Sequence, residues 1–514
     1  MSDRRNRKMA APGAADACCQ DTTSPARGGT SRRGFLKSSA GLVAGGAAAQ
    51  SMAGRALAQD TGAAGADPEL GRLQSQRRIL LKGGVVLTLD RQIGDFAQAD
   101  VLIEDGKIRE VRPNIAVSGD AAAVIDASNT IVMPGFVDTH HHCYQALFRN
   151  VLANGLLNPD YSRDITGTLT PSYEASDAYA GVLVSALGAI EQGITTVVDT
   201  SQVCHTPEHS DAMIRALQES GLRVVYAYNR GDGPRSQYPR DIVRLQRTYF
   251  NSPDQLVTLA IAGGFTRPEQ TEVLTVAREV GVPVVSHGVS DASEQVMLGF
   301  WRAGLVRPGD EYIHCNHLGD EAWYMIRDSG GFASLSVPIE MAMGHGLPAI
   351  QDALDHGVRP SLSSDVDVTM AQDPFTNMRS AFTLQRLLLL QRARNREQDL
   401  PPLLTCREVL EFATIEGARC AGVDSKVGTL TPGKEADVVL LRADRLNVWP
   451  LNNAAGAVVT LMDTRNVDTV LIAGKVMKWR GSLVGVDLAR VLRLTQEARD
   501  AVVRRSGFPV DLLG

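Results

Sequence analysis

The segment Met133-Pro-Gly-Phe-Val-Asp-Thr-His140-His141-His142 holds the residues best suited to chemistry. An apolar run, Ile131 to Val137, gives way there to three consecutive histidines. Residues two apart on a β-strand project from the same face. His140 and His142 at a strand end therefore aim two imidazoles at one point, while strand alternation turns His141 away. Neutral imidazole is the commonest metal ligand. Taken alone, the pair also fits a histidine-rich surface loop. His287, His314 and Asp365, each closing a further apolar run, weigh against that.

The elements that must position these residues alternate between strand and helix. Strand-like apolar runs occur at 131–138, 195–199, 223–228, 257–262, 283–287, 311–314, 332–337 and 359–365. Amphipathic stretches such as 211–220 and 270–280 separate them, with glycines at the turns. Eight such units predict an α/β fold, a TIM (β/α)8 barrel. A doubly wound sheet is the runner-up, weakened because no Gly-rich phosphate loop follows the first strand. In a barrel, chemistry sits at the carboxyl ends of the strands. His140 and His142 close the first strand, His287 the fifth, His314 the sixth and Asp365 the eighth. β-rich pieces flank the middle: 79–90, a hairpin over 100–111 turning at Asp105-Gly106, then 436–441 and 467–476 with Ala473-Gly474 at the turn. Asp-Gly between apolar runs is a strong hairpin signal. These pieces predict a small β-sandwich built from N- and C-terminal segments, 78–132 and 426–485, around a barrel at 133–425. A linker at 59–77 precedes it and a helical tail at 486–514 follows.

Four segments together resemble the amidohydrolase superfamily, in the branch of cytosine, guanine and 8-oxoguanine deaminases and s-triazine hydrolases. They are Pro134-Gly-Phe-Val-Asp-Thr-His-His-His142, Val285-Ser-His287, Ile313-His314-Cys-Asn-His317-Leu and Ser363-Ser-Asp365. Gly428-Thr-Leu-Thr-Pro-Gly-Lys-Glu-Ala-Asp437 is similar to that family's return into its β-sandwich, and the likeness spans about residues 78 to 490. The resemblance implies that His140, His142, His287 and Asp365 bind one divalent metal, with His314 beside the water or substrate. Three neutral histidines and a carboxylate suit zinc, with iron(II) as the alternative. A divalent metal lowers the pKa of bound water. Asp365 can take its proton and His314 can stabilise charge on the attacked carbon.

Two departures refine this. No lysine lies between Lys107 and Lys426. Binuclear members commonly bridge two metals with a carboxylated lysine on the fourth strand, so a single metal is expected. The resembled deaminases also place a glutamate three residues after the fifth-strand histidine, where this chain has Ser290. Serine cannot serve as a general acid near neutral pH. Glu340, Asp291, Glu294 and His317 are candidates to replace it, Glu340 as a catalytic residue. Gln145, His317 and His205 are expected to contact substrate, and 152–173 to be a functional loop. His345 and Asn229 are further polar residues at strand ends.

The expected activity is metal-dependent hydrolysis of a C–N bond in a small nitrogen-containing molecule. A deaminase of a purine-, pyrimidine- or triazine-like ring is the leading form. The missing glutamate keeps amide or lactam hydrolysis open, and a catalytically silent metal-containing binding protein is the third reading.

The amino terminus carries a different message. Ser31-Arg32-Arg33-Gly34-Phe35-Leu36-Lys37 precedes a weakly apolar run, Ala40 to Ala53, and Ala56-Leu57-Ala58 fits a cleavage site. Together they make residues 1–58 a twin-arginine signal peptide, implying the twin-arginine (Tat) export machinery as a partner and a periplasmic location. The run is too short and too rich in Gly and Ala for a stable membrane anchor. Seven scattered cysteines do not form a disulfide framework, and Cys143 and Cys315 read as buried fillers. A net charge of -6 with 21% charged residues gives no reason to expect nucleic-acid binding. The partner expected is a small-molecule substrate, in a homo-oligomer.

Overall fold

The computed structural model describes residues 67–513, apart from 118–120, 253 and 289–290. The signal peptide, the first part of the linker (59–66) and Ser290 lie outside the described residues. Eight parallel strands, each paired only with its neighbours in chain order, form the central sheet. They are β1 (Phe136–His141), β2 (Ile194–Ser201), β3 (Arg223–Tyr228), β4 (Val257–Ala262), β5 (Val284–His287), β6 (Glu311–Ile313), β7 (Phe332–Leu335) and β8 (Ser361–Leu362). The barrel closes just beyond β8, where Asp365 N donates to His140 O at 2.9 Å and His142 N donates to Asp365 O at 2.9 Å. The closing seam therefore holds a predicted acid between two predicted ligands.

Inside the barrel the packing is in layers. Val198, Val225, Ala227, Ala260, Ala262, Val285 and Ile313 form an apolar plug. Beside it lies a hydroxyl cluster: Thr139 Oγ1 is 2.7 Å from Ser334 Oγ and 2.8 Å from Ser361 Oγ, and Ser336 Oγ is 2.7 Å from Ser363 Oγ. Buried hydroxyls cost stability unless paired, and these pair with one another.

The apolar run 131–138, read above as one strand, is two. Thr130–Pro134 pairs antiparallel with Val438–Arg442 in the second sheet, and only Phe136–His141 belongs to the barrel. The break falls at Gly135, where a Cβ would lie 2.2 Å from the Thr195 side chain, so only glycine lets the chain cross between sheets here. Periodicity could not show this, because both halves are fully buried.

The second sheet has nine strands drawn from both ends of the described chain. Three of its hairpins turn tightly, at Asp105-Gly106, Ala473-Gly474 and Arg480-Gly481, all six residues at positive φ, as a type I′ turn requires. The halves share one apolar cluster that includes Ile79, Val101, Ile103, Val438, Leu471 and Val476. The end of the expected linker is ordered as a helix, Pro68–Ser75, capped by Asp67, whose carboxylate also accepts from Trp479 Nε1 at 2.9 Å. An Asp cap followed by Pro is a helix-start signal that the segment's polarity masked. The tail forms a helix over Leu488–Ser506, tied back by Arg505 to Asp177. Among the described residues no helix is long and apolar enough to cross a membrane.

Candidate functional site

The carboxyl ends of β1, β5, β6 and the β8 seam converge on one buried point. His140 Nε2 lies 3.1 Å and His142 Nε2 3.6 Å from Asp365 Oδ1, and His314 Nε2 lies 3.7 Å from Asp365 Oδ2. The His287 ring sits 4.8 Å from that of His140 and stacks on that of His142 at 5.8 Å, centroid to centroid. Thr200, near the end of β2, fixes both β1 ligand rings. Its hydroxyl is 3.1 Å from His140 Nδ1 and its carbonyl accepts from His142 Nδ1 at 2.8 Å. Anchoring Nδ1 leaves Nε2 as the free lone pair, the arrangement that orients metal-binding histidines. His141 faces the opposite side, with Nδ1 3.4 Å from Ser364 Oγ and Nε2 4.0 Å from Asp367.

The charge states suit a cation. Burial, reinforced by the neighbouring His140, pushes His142 down to about 3. Burial and the surrounding histidines hold His287 well below the ordinary value, and burial lowers His140 too. All three imidazoles are thus neutral donors, as metal binding requires. Burial works to raise Asp365, but the His140 hydrogen bond and the charge of His314 outweigh it and keep the carboxyl well below its usual range. His140, His142 and Asp365 bring ligand atoms within 4.8 Å of one another, and so do His140, His287 and His314. Three neutral imidazoles and one ionised carboxylate form a donor set that fits a divalent metal.

His314 differs from the other three. Its Nδ1 donates to Glu340 Oε1 at 3.0 Å, and Oε1 also accepts from Ser336 N at 2.7 Å. Burial opposes protonation of His314, yet the Glu340 bond and the charges of Asp365 and Glu340 raise it above its ordinary value. His314 itself sits at φ +68°, and Asp365 at φ +59°. Such non-glycine conformations are costly and cluster at functional sites.

The convergence point floors a cavity of about 190 Å3, walled by Leu157, Tyr161, Gln202, Met343, His345 and Val366. Several expected contacts are corrected by this geometry. Glu340 is completely buried and lies behind His314, not on the cavity, so it is a positioning residue and no substitute for the missing acid. Gln145 does not line the cavity: its Nε2 donates to Tyr161 Oη at 2.7 Å and to Tyr144 Oη at 3.0 Å, holding Tyr161 in the wall. His205 is bound by backbone, Nε2 to Thr170 O at 2.9 Å and Nδ1 from Asp232 N at 2.8 Å. His317 is exposed, with Nε2 2.9 Å from the His345 carbonyl. Glu294 accepts from Gly319 N at 3.1 Å and is not among the lining residues. The 152–173 segment is helical over Leu157–Leu169 and supplies Leu157 and Tyr161 to the wall. Cys143 and Cys315 are buried, their thiols pushed up by that burial, and are inert fillers. Thr200, Gln202, Met343 and Val366 had no distinguishing signal in the sequence.

Glu340→Gln tests the arrangement behind His314. The amide keeps the size of the carboxylate but removes the charge that favours protonated His314. Turnover should fall about 10–100-fold, the usual cost of losing such a supporting partner, with metal content unchanged. Parallel loss of metal would place His314 among the ligands instead.

Residues 131–477, most of the chain, match the amidohydrolase family. The chain belongs to the amidohydrolase family. It is a metal-dependent hydrolase of carbon–nitrogen bonds. This amidohydrolase is 25% identical to a 5′-deoxyadenosine deaminase of Methanosarcina barkeri over 448 residues, 83% of this chain and 99% of the relative. It is 24% identical to a 5-methylthioadenosine/S-adenosylhomocysteine deaminase of Caldicellulosiruptor saccharolyticus over 426 residues, 80% of this chain and 95% of the relative. Its fold is that of a zinc-bound adenosine deaminase from Xanthomonas campestris, with TM-score 0.72 and 19% identity over 83% of this chain and 98% of the other. The zinc-complexed atrazine chlorohydrolase of Arthrobacter aurescens shares it too, with TM-score 0.68 and 21% identity over 82% of this chain and 100% of the other.

Proposed function

We propose that this amidohydrolase is a mononuclear zinc aminohydrolase that releases ammonia from an aminated purine-, pyrimidine- or triazine-like ring. The observation that carries the reading is the cavity: a floor of His142, His287, His314 and Asp365 beneath a largely apolar wall of Leu157, Tyr161, Met343 and Val366. Its volume of about 190 Å3 lies below the roughly 300–1,000 Å3 of pockets for drug-sized ligands, which suits a small flat ring. The deaminases among its relatives support the same reading.

His140, His142, His287 and Asp365 would hold the zinc, which when bound lowers the pKa of water and makes hydroxide available at neutral pH. Asp365, ionised in its surroundings, accepts the proton of the attacking water. His314, charged through Glu340, donates a hydrogen bond to the ring as negative charge develops on it. The apolar wall excludes bulk water and orients the ring over the floor.

The test is metal content with product analysis of the purified mature chain. One zinc per chain and ammonia from an aminated heterocycle are expected, with activity abolished by a chelator and restored by one equivalent of zinc. Two metals per chain would overturn the mononuclear assignment. Amide cleavage without ammonia would favour the second reading, amide or lactam hydrolysis, which Ser290 supports.

The paired arginines support export by the twin-arginine machinery to the periplasm. Replacing Arg32 and Arg33 by lysine should retain the chain in the cytoplasmic fraction; unchanged fractionation would refute the signal.

A further inference from the structure

The titratable side chains on the cavity are His142, Tyr161, His287, His314, His345 and Asp365, with the Tyr161 hydroxyl accepting from Gln145 Nε2 at 2.7 Å. Three of these are proposed ligands, and His314 is committed to Glu340 through Nδ1. His345 has no such commitment. Its Nδ1 is buried without a hydrogen-bond partner, an unusual state for a buried polar atom. Its ring lies 4.7 Å from that of His314, centroid to centroid. A ring nitrogen falls within 4.8 Å of ligand atoms of His314 and Asp365.

The backbone that presents His345 is built for one direction. Gly344 has φ +76° and Gly346 φ +134°, conformations that L side chains rarely adopt. A Cβ on Gly346 would lie 2.5 Å from His317 Nε2. The loop after β6 grips this turn from outside. His317 Nε2 donates to His345 O at 2.9 Å, and Asn316 Nδ2 donates to Leu347 O at 3.0 Å. His317, expected from sequence to touch substrate, is bonded to the backbone of the His345 turn.

We propose that His345 is the side chain that hydrogen-bonds the departing nitrogen of the substrate, and that Asn316 and His317 are its positioning residues. The inference rests on the C–N hydrolase reading above. A neutral imidazole carries one N–H and one lone pair. It can donate to the nitrogen whose lone pair grows as the C–N bond lengthens, a contact that strengthens toward the transition state and so acts on kcat. The chain has serine, not glutamate, at position 290, and no carboxylate besides Asp365 lines the cavity among the described residues.

The experiment compares wild type, His345→Ala, His345→Gln and His317→Ala, each zinc-loaded. It measures zinc per chain together with kcat and KM on whichever of 5′-deoxyadenosine, an aminated s-triazine or a simple lactam the wild type hydrolyses. For His345→Ala, kcat should fall about 10²-fold or more, with zinc retained and KM moved much less. His345→Gln, which keeps an N–H donor, should recover about a tenth of wild-type kcat, and His317→Ala should lose about tenfold, as positioning residues do. Wild-type turnover with His345→Ala within twofold of it would overturn the inference and leave the hydrolase reading standing. Loss of zinc, or of a second zinc, in His345→Ala would overturn it by making His345 a ligand. A zinc-loaded wild type inactive on all three probes would sink the hydrolase reading, and this inference with it.

Discussion

Asp365→Asn should reduce turnover by about 10⁴-fold or more, the upper range for loss of a positioned proton acceptor. Asp365 does two jobs at one place: its oxygens face His140, His142 and His314, and its carboxyl is held ionised. The amide neither accepts the proton nor offers a negative ligand, so metal content should fall as well. The backbone makes the substitution clean. Asp365 lies at φ +59°, and asparagine is among the few non-glycine residues that tolerate the left-handed region. The seam hydrogen bonds through its N–H and carbonyl do not depend on the side chain. Loss of activity with an unchanged unfolding curve would therefore report chemistry rather than fold. A zinc-loaded Asn variant keeping more than about a tenth of wild-type kcat would remove Asp365 as the proton acceptor, because that is far less than general-base loss costs.

The same residue shows what was legible in the sequence and why. His140, His142, His287, His314 and Asp365 could be found because a parallel barrel converts a strand's last residue into a site residue. That rule needs only the apolar run and its end. The supporting residues obey no such rule. Glu340 was visible as a carboxylate after β7, but its partner is 26 positions earlier in His314, and only the fold shows that the bond turns it away from the cavity. His345 was one polar residue among several, and its direction is set by two glycine conformations and a grip from the loop after β6. Gln145 and His205 were spent on two tyrosines and on backbone, partners that no spacing encodes. The run 131–138 hid the passage between sheets because burial on both faces erases alternation. Gly135 was the mark, legible only once Thr195 stands beside it.

Arg223→Met should destabilise the chain by about 3–5 kcal/mol, the usual cost of breaking a buried ion pair from one side. Arg223 opens β3 with its side chain only 3% exposed, and it grips the returning Glu435-Ala436-Asp437 segment. Its Nε and Nη2 bond the two Asp437 oxygens at 2.9 Å each, and Nη2 also reaches Glu435. Bidentate arginine–carboxylate pairs are the strong, geometrically specific kind. Asp437 in turn accepts from Ala473 N at 2.7 Å, and its carbonyl accepts from Gly135 N at 3.0 Å. One residue thus joins the barrel and the second hairpin through its carboxylate and the crossing between sheets through its carbonyl. Methionine fills the space but leaves the buried Asp437 charge without a cation, and desolvation makes that charge expensive. Adding Asp437→Asn removes the stranded charge while keeping an acceptor for Ala473, so the double variant should recover at least half of the loss. Urea unfolding followed by tryptophan fluorescence checks both. A single variant within about 1 kcal/mol of wild type would reduce the pair to the modest value of an exposed bridge. A double variant less stable than the single would mean that the lost hydrogen bonds, and not the stranded charge, carry the cost.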